Sequence, residues 1–270
     1  MAKTPQKLIN EAKEEIKKIM SAYMEEISVD LIAQISKNSK KLPVSQKVNA
    51  TKNISSPAGQ WFKSDLREAM GVIVREAIDM AKKEIPARIK FTEYDDLPAA
   101  VKRFIDAQIT LYTSTQIEDM KKNLSFSYQD ALAFTDNVKQ IEKEMAMAAA
   151  KYIEGTAIAA ASSKLTAVAV NNARKSYFDQ PEVMDQIEAF QYMNDEPNAP
   201  ICVNLKGHVF SADDPDLQMW TPPFHFNCDG WLRPILIGNL KNLKPERYTP
   251  TKAAQESVQF SETKNMCCDH

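Results

Sequence analysis

The sequence predicts a mainly α-helical protein: a bundle of long helices, then a compact, loop-rich α+β module, then an extended tail. Three observations carry this. Glycine is scarce, 6 in 270 residues, while Ala, Lys, Glu, Met and Ile abound, a composition that favours long helices. Apolar residues recur at three- and four-residue spacing through most of the chain up to Pro181. Beyond that point the helical period fades, and seven of the 14 prolines fall between Pro181 and Pro234.

The bulk numbers bound the function. Hydrophobic residues make up 44% of the chain, enough for a real core, and the net charge of −2 argues against a globally basic nucleic-acid binder. No apolar run is long enough for a transmembrane helix, and the charged, amphipathic N-terminus lacks the apolar core of a secretory signal. The first of four cysteines is Cys202; the others are Cys228, Cys267 and Cys268. This is not a disulfide scaffold. A reducing cytoplasm is expected, with thiols kept reduced or bound to metal.

Residues 5–36 read as one long helix, with Leu8, Ala12, Ile16, Ile19, Tyr23, Ile27, Leu31 and Ile35 on one face and Thr4-Pro5 opening it. Residues 37–57 carry five lysines and no acid, with Ser, Asn and two prolines. They read as a basic linker, either solvated or, through Lys37, Lys40, Lys41, Lys47 and Lys52, touching DNA phosphates or an acidic partner. Helical patterns resume over 59–85 and 98–121. LSFSYQD (124–130) reads as a turn, and Ser127 as an N-cap for a long alanine-rich helical run over 129–176 that Gly155 bends or interrupts. After Pro181, AFQYMN (189–194), HVF (208–210) and WLRPILI (231–237) read as short strands or extended pieces. The expected organisation is a helical region over 1–96, a domain over 97–238 (helical to 180, loop-rich over 181–238), and an extended or disordered tail over 239–270.

The distinctive chemistry lies between residues 195 and 234, which hold two of the three histidines, two cysteines and two tryptophans. Three readings apply. Cys202, His208, His225 and Cys228, spaced C-x5-H-x16-H-x2-C, offer the four N/S donors of tetrahedral zinc. The spacing matches no common zinc finger, and buried cysteines also pack as small hydrophobes. A Cys202–Cys228 disulfide is disfavoured in a reducing compartment. In the second reading, Asp213 and Asp214 with His225 form a metal-dependent hydrolase or nuclease site, although Ala-Asp-Asp-Pro is also an ordinary turn. There is no phosphate-binding glycine loop, nucleophile elbow or HExxH. In the third, Phe210, Trp220, Phe224, Phe226 and Trp231 build an aromatic core under irregular backbone, with Pro222-Pro223 stiffening the approach to His225 and Asn227 bridging the turn.

The same segment resembles the phage Mu F-like head-morphogenesis family. The resemblance is carried by Asp195, Pro200-Ile201-Cys202, Leu205-Lys206-Gly207, Val209-Phe210, Asp213-Asp214-Pro215, Trp220, Pro222-Pro223-Phe224-His225, Asn227-Cys228 and the stretch from Trp231 to Ile235. Upstream, Asn172-Ala173-Arg174 resembles the end of the helix that leads into the module. The likeness extends over residues 97–238. Three positions depart from the family's pattern: Asp229 replaces its usual arginine, Gly230 its second cysteine or serine, and His208 its common lysine. The loss at Gly230 weakens a family-wide metal claim.

The resemblance implies a non-enzymatic minor head protein of the virion, placed at the portal or capsid interior and in the host cytoplasm during assembly. Its implied partners are the portal protein, the major capsid or scaffold protein, and packaged DNA contacted non-specifically. Its implied roles are head assembly, DNA packaging and DNA ejection; zinc, the one candidate cofactor, comes from the Cys/His spacing and not from the resemblance. Some relatives are fused to toxin domains, but no toxin motif is identifiable here.

Overall fold

The computed structural model describes residues 4–52, 54–55, 60–195, 197, 199–225 and 228–252. It is mainly helical with one small sheet. The helices are α1 (Pro5–Lys41), α2 (Gln60–Glu84), α3 (Ala99–Phe134), α4 (Val138–Glu154), α5 (Thr156–Phe178), α6 (Pro181–Met184) and α7 (Pro200–Leu205). The strands are β1 (Ile187–Met193), β2 (Val209–Ser211) and β3 (Trp231–Leu236). No described helix is long and apolar enough to cross a membrane.

The chain forms two compact units, each assembled from separate stretches. The first takes the start of α1 to Ile16, Arg67–Gln108, and everything described from Ala160 onward. The second takes Lys17–Leu66 and Ile109–Ala159.

In the second unit, burial follows the helical period. On α1, Tyr23, Ile27, Leu31 and Ile35 are buried, and on α4, Ile141, Met145, Ala149 and Ile153 form the buried stripe. Helix α3 continues straight through residues 124–130, where the sequence predicts a turn, so Ser127 lies inside a helix and caps nothing. The reason is burial: Leu124, Tyr128 and Ala131 sit at helical spacing and are enclosed. The Tyr128 hydroxyl donates to Ser39 Oγ (2.8 Å) and the Lys47 carbonyl (3.1 Å). Two serines cost a helix well under about 1.5 kcal/mol, less than burying a leucine and a tyrosine returns. The predicted long run over 129–176 is likewise broken. Residues 135–137 interrupt it, and Asn137 caps α4 by accepting from Lys139 N–H (3.0 Å) and Gln140 N–H (3.4 Å). Gly155 ends α4; a Cβ there would lie 3.0 Å from the Tyr152 carbonyl oxygen.

The basic segment is also more structured than its composition suggests. Lys37, Lys40 and Lys41 belong to the last turns of α1, and Val44–Thr51 forms a 3-10 helix whose Ala50 is fully buried. Asn38 Nδ2 donates to the Ala50 carbonyl at 3.2 Å.

In the first unit, α5 is buried on every face from residue 161 to 171, as expected of a central helix. The sheet has order β2-β1-β3 and is antiparallel throughout. Its register pairs Phe190 with Phe210 and Pro234, and Tyr192 with Leu232. Pro234 is tolerated because β3 is an edge strand, where a missing N–H costs no ladder bond on the open side. Side chains alternate across β1. Phe190 and Tyr192 share one buried face; Ala189, with Val209 and Ile235, forms a cluster on the other, covered by Leu240 and Leu243.

Candidate functional site

Helix α7 sits between β1 and β2 and presents Cys202 on its inner side. The described residues of the β2–β3 connection form no helix or strand, and they include His225 and Cys228. All three are buried, at 0%, 5% and 0% exposure. Cys202 Sγ lies 2.8 Å from His225 Nε2 and 3.6 Å from Cys228 Sγ. The three donor atoms lie within 4.8 Å of one another and are the only such group among the described residues. The sulfurs are not joined.

A further residue, which sequence reasoning missed, completes the cluster. The Tyr192 hydroxyl donates to Cys202 Sγ and accepts from Asn194 Nδ2 at 3.3 Å. The Asn194 side chain also reaches Cys202, and the Phe224 backbone N–H donates to Cys228. Tyr192 and Asn194 follow Phe190 at alternate positions along the β1 segment, so the strand period in AFQYMN was the available signal. What no local pattern shows is that this face of β1 meets α7 and the β2–β3 loop.

The electrostatics separate the two thiols. Cys202 is raised above the ordinary thiol range, first by its hydrogen bond to Cys228 and then by burial. Cys228 is held well below it. Burial opposes ionisation there, but hydrogen bonds from Cys202 and His225, with the His225 charge, outweigh it. Burial and both neighbouring sulfurs push the Tyr192 hydroxyl upward.

Gly230 closes the cluster. A Cβ at this position would lie 2.1 Å from the Tyr192 hydroxyl oxygen and 2.6 Å from Tyr192 Cζ. The space a larger side chain would need is taken by the tyrosine. The Gly230 carbonyl accepts from Asn171 Nδ2 at 3.0 Å, which ties the loop to α5.

Of the four predicted metal donors, His208 stands apart. Its Nε2 is hydrogen bonded to the Glu246 carbonyl at 2.9 Å, and its ring packs edge-on against Phe210 and Tyr248. Asp213 and Asp214 serve a turn: Ser211 Oγ donates to Asp213, and Asp214 Oδ1 accepts from Asp216 N–H at 2.8 Å. Neither belongs to the group around His225, so the geometry of the hydrolase reading is not assembled.

The other motif residues have structural tasks. Gly207, with φ +81°, turns the chain into β2; its N–H donates to the Tyr192 carbonyl at 3.0 Å. The Asp195 carbonyl accepts from Lys206 Nζ at 3.0 Å, and its N–H donates to Gln6 Oε1 at 3.2 Å. Pro222 and Pro223 are buried and joined by a cis peptide, and the Pro223 carbonyl accepts from the buried Lys164 at 3.3 Å. Trp231 opens β3 and lies under the Arg174 guanidinium, 5.4 Å from its ring centre. Asn227 and Phe226 lie outside the described residues.

The aromatic core joins Tyr192 to Phe224 (5.7 Å) and Trp220 to both Phe224 (6.5 Å) and Tyr248 (4.8 Å). Tyr248 comes from the stretch after β3. That stretch folds back on the module: Glu246 N–H donates to the Val209 carbonyl at 3.0 Å, and Arg247 Nη2 to Asp216 at 2.8 Å. Residues 253–270 lie outside the described residues.

Lys37, Lys40, Lys41 and Lys52 are exposed. Lys47 is largely covered and faces Asp136 at 3.4 Å.

No curated protein and no solved structure matches this chain. A family model does. It is described as Phage Mu protein F like protein, and it matches residues 111–232, from the middle of α3 into β3. That span contains α4, α5, the cysteine–histidine cluster and most of the sheet. Over residues 111–232 this chain is thus similar to the phage Mu F-like family.

Proposed function

We propose that this protein is a minor component of phage heads that docks on the portal or the inner face of the capsid and supports head assembly, DNA packaging or DNA delivery. The observation that carries the reading is the family match over residues 111–232, in a family of head morphogenesis rather than catalysis. The structure is compatible in kind. The turn-forming and aromatic residues of the module are spent on packing, which suits a rigid docking piece. Helix α3 leaves Phe126 69% and Phe134 90% exposed, and α4 leaves Met147 50% exposed. Large apolar side chains in water are the kind of surface that assembly contacts cover. Exposed Lys37, Lys40, Lys41 and Lys52 offer phosphate contacts to packaged DNA or an acidic partner surface; Lys47 faces Asp136 and is left out.

The test is genetic and structural together. Deleting the gene in its phage should give defective or non-infectious heads that a plasmid copy restores. Cross-linking of procapsids should then join this chain to the portal or the capsid protein. Normal infectious heads without the protein would refute the proposal.

A further inference from the structure

We propose that Cys202, His225 and Cys228 hold one zinc ion, which fastens the β2–β3 loop to helix α7. The inference stands on the cluster itself and is independent of the head-assembly reading.

The donor set comes first. Two thiols and an imidazole are the ligands a borderline-soft divalent ion takes, and zinc accepts them tetrahedrally. Zn–S bonds of about 2.3 Å at tetrahedral angles put two sulfurs about 3.8 Å apart. The observed separation is 3.6 Å. A disulfide needs about 2.05 Å, so the sulfurs stand near the separation an ion would set; the 2.8 Å Cys202–His225 hydrogen bond would open to about 3.5 Å around it.

The surroundings come second. Cysteines that pack only as small hydrophobes need no polar neighbours. Here the sulfurs collect donors: the Tyr192 hydroxyl and the Asn194 side chain at Cys202, and the Phe224 N–H at Cys228. Donors aimed at sulfur stabilise thiolates, and metal-bound cysteines are regularly supported this way. Tyr192 is a positioning residue in this account. Its ring is fixed from two sides, by Phe224 at 5.7 Å and by the absence of a side chain at Gly230.

The third argument is position. Between β2 and β3 the described residues form no helix or strand. The loop has an aromatic core in Trp220 and Phe224, to which an ion adds a cross-link. Cys202 comes from α7, which precedes β2 in the sequence, so an ion shared with His225 and Cys228 ties the helix to the loop. The three buried donors fill three of zinc's four tetrahedral positions and leave the fourth to a further ligand.

The test uses the full chain, expressed with zinc and purified without chelator. Elemental analysis should find about one zinc per chain, the stoichiometry of a mononuclear site. Replacing the zinc with Co2+ should give the thiolate-to-cobalt charge-transfer absorption of a two-sulfur site. Cys202→Ser and Cys228→Ser should each lower the bound metal by at least about 10-fold. The Cys267→Ser/Cys268→Ser chain should keep its full equivalent. If a Cys202 or Cys228 variant fails to fold, the cobalt spectrum of the unaltered chain and the metal content of the Cys267→Ser/Cys268→Ser chain still decide. Absence of both zinc and cobalt–thiolate absorption in the unaltered chain overturns the proposal. So does loss of metal in the Cys267→Ser/Cys268→Ser chain.

Discussion

Removing Glu84 should destabilise the sheet-bearing unit far more than removing its partner Arg174. Arg174, near the end of α5, is 2% exposed at its side chain and grips Glu84 of α2 with two hydrogen bonds of 2.6 and 3.0 Å. It also donates to the Leu232 carbonyl at 3.2 Å and lies over the rings of Phe178 (5.2 Å) and Trp231 (5.4 Å). Charge centres about 4 Å apart attract by about 4 kcal/mol at an effective dielectric near 20. Glu84→Ala strands the guanidinium in a closed site and should cost about 3–5 kcal/mol. Arg174→Met leaves a carboxylate that is already 29% exposed and can rehydrate. The remaining loss is the Leu232 hydrogen bond and two ring contacts, about 1–3 kcal/mol together. The double variant should therefore be no less stable than Glu84→Ala alone. Urea denaturation followed by far-UV circular dichroism measures all three chains. A Glu84→Ala cost below about 1 kcal/mol, the range of an exposed pair, would refute the reasoning.

Three further outcomes follow from the same structure. Gly230→Ala forces a methyl group to within 2.1 Å of the Tyr192 hydroxyl and should cost about 1–3 kcal/mol by overpacking; an unchanged melting temperature would contradict the placement of Tyr192. Tyr128→Phe removes the donor to Ser39 and Lys47 and should cost about 1–2 kcal/mol in the same denaturation assay, whereas a chain with a true turn at 124–130 would show no loss. Asp96 accepts from Thr92 and Glu93 N–H groups, which lower its carboxyl below the usual range. A depressed folded value means its contribution is present above about pH 3.9, the unfolded value, and is lost as pH falls through the folded one. The stability gap between the unaltered chain and Asp96→Asn should therefore close on acidification and stay constant near neutrality. The gap is small because the group is exposed, and a gap that widens in acid would reverse the assignment.

Much of the fold is legible in the sequence because helix period and proline density are local signals. The stripe from Leu8 to Ile35 marks α1, and the three short apolar segments after Pro181 coincide with β1, β2 and β3. The misread turn at 124–130 shows the limit. Serine and aspartate signal a break only when nothing buries the neighbouring apolar side chains; here Leu124 and Tyr128 are buried, and Tyr128 meets the distant Ser39 and Lys47. The Asn137 cap and the Gly155 break depend on local chemistry, but placing them requires knowing where burial resumes. In the cluster, residue type alone draws Cys202, His225 and Cys228 together. It also draws in His208, which the structure instead engages with Glu246, Phe210 and Tyr248. Tyr192 was invisible as a site residue because its role arises from sheet register and from the side chain Gly230 lacks. The same contact gives a physical reason for the departure from the family pattern at Gly230: Tyr192 occupies the space.

The reading of this chain as a head component is tested most directly by quantitative mass spectrometry of purified DNA-free procapsids and mature virions from the phage that encodes it. The account predicts the protein in at least one of the two particles, at a low copy number relative to the major capsid protein and cross-linked to portal or shell. Its absence from both, with the protein left free in the lysate, would contradict the account.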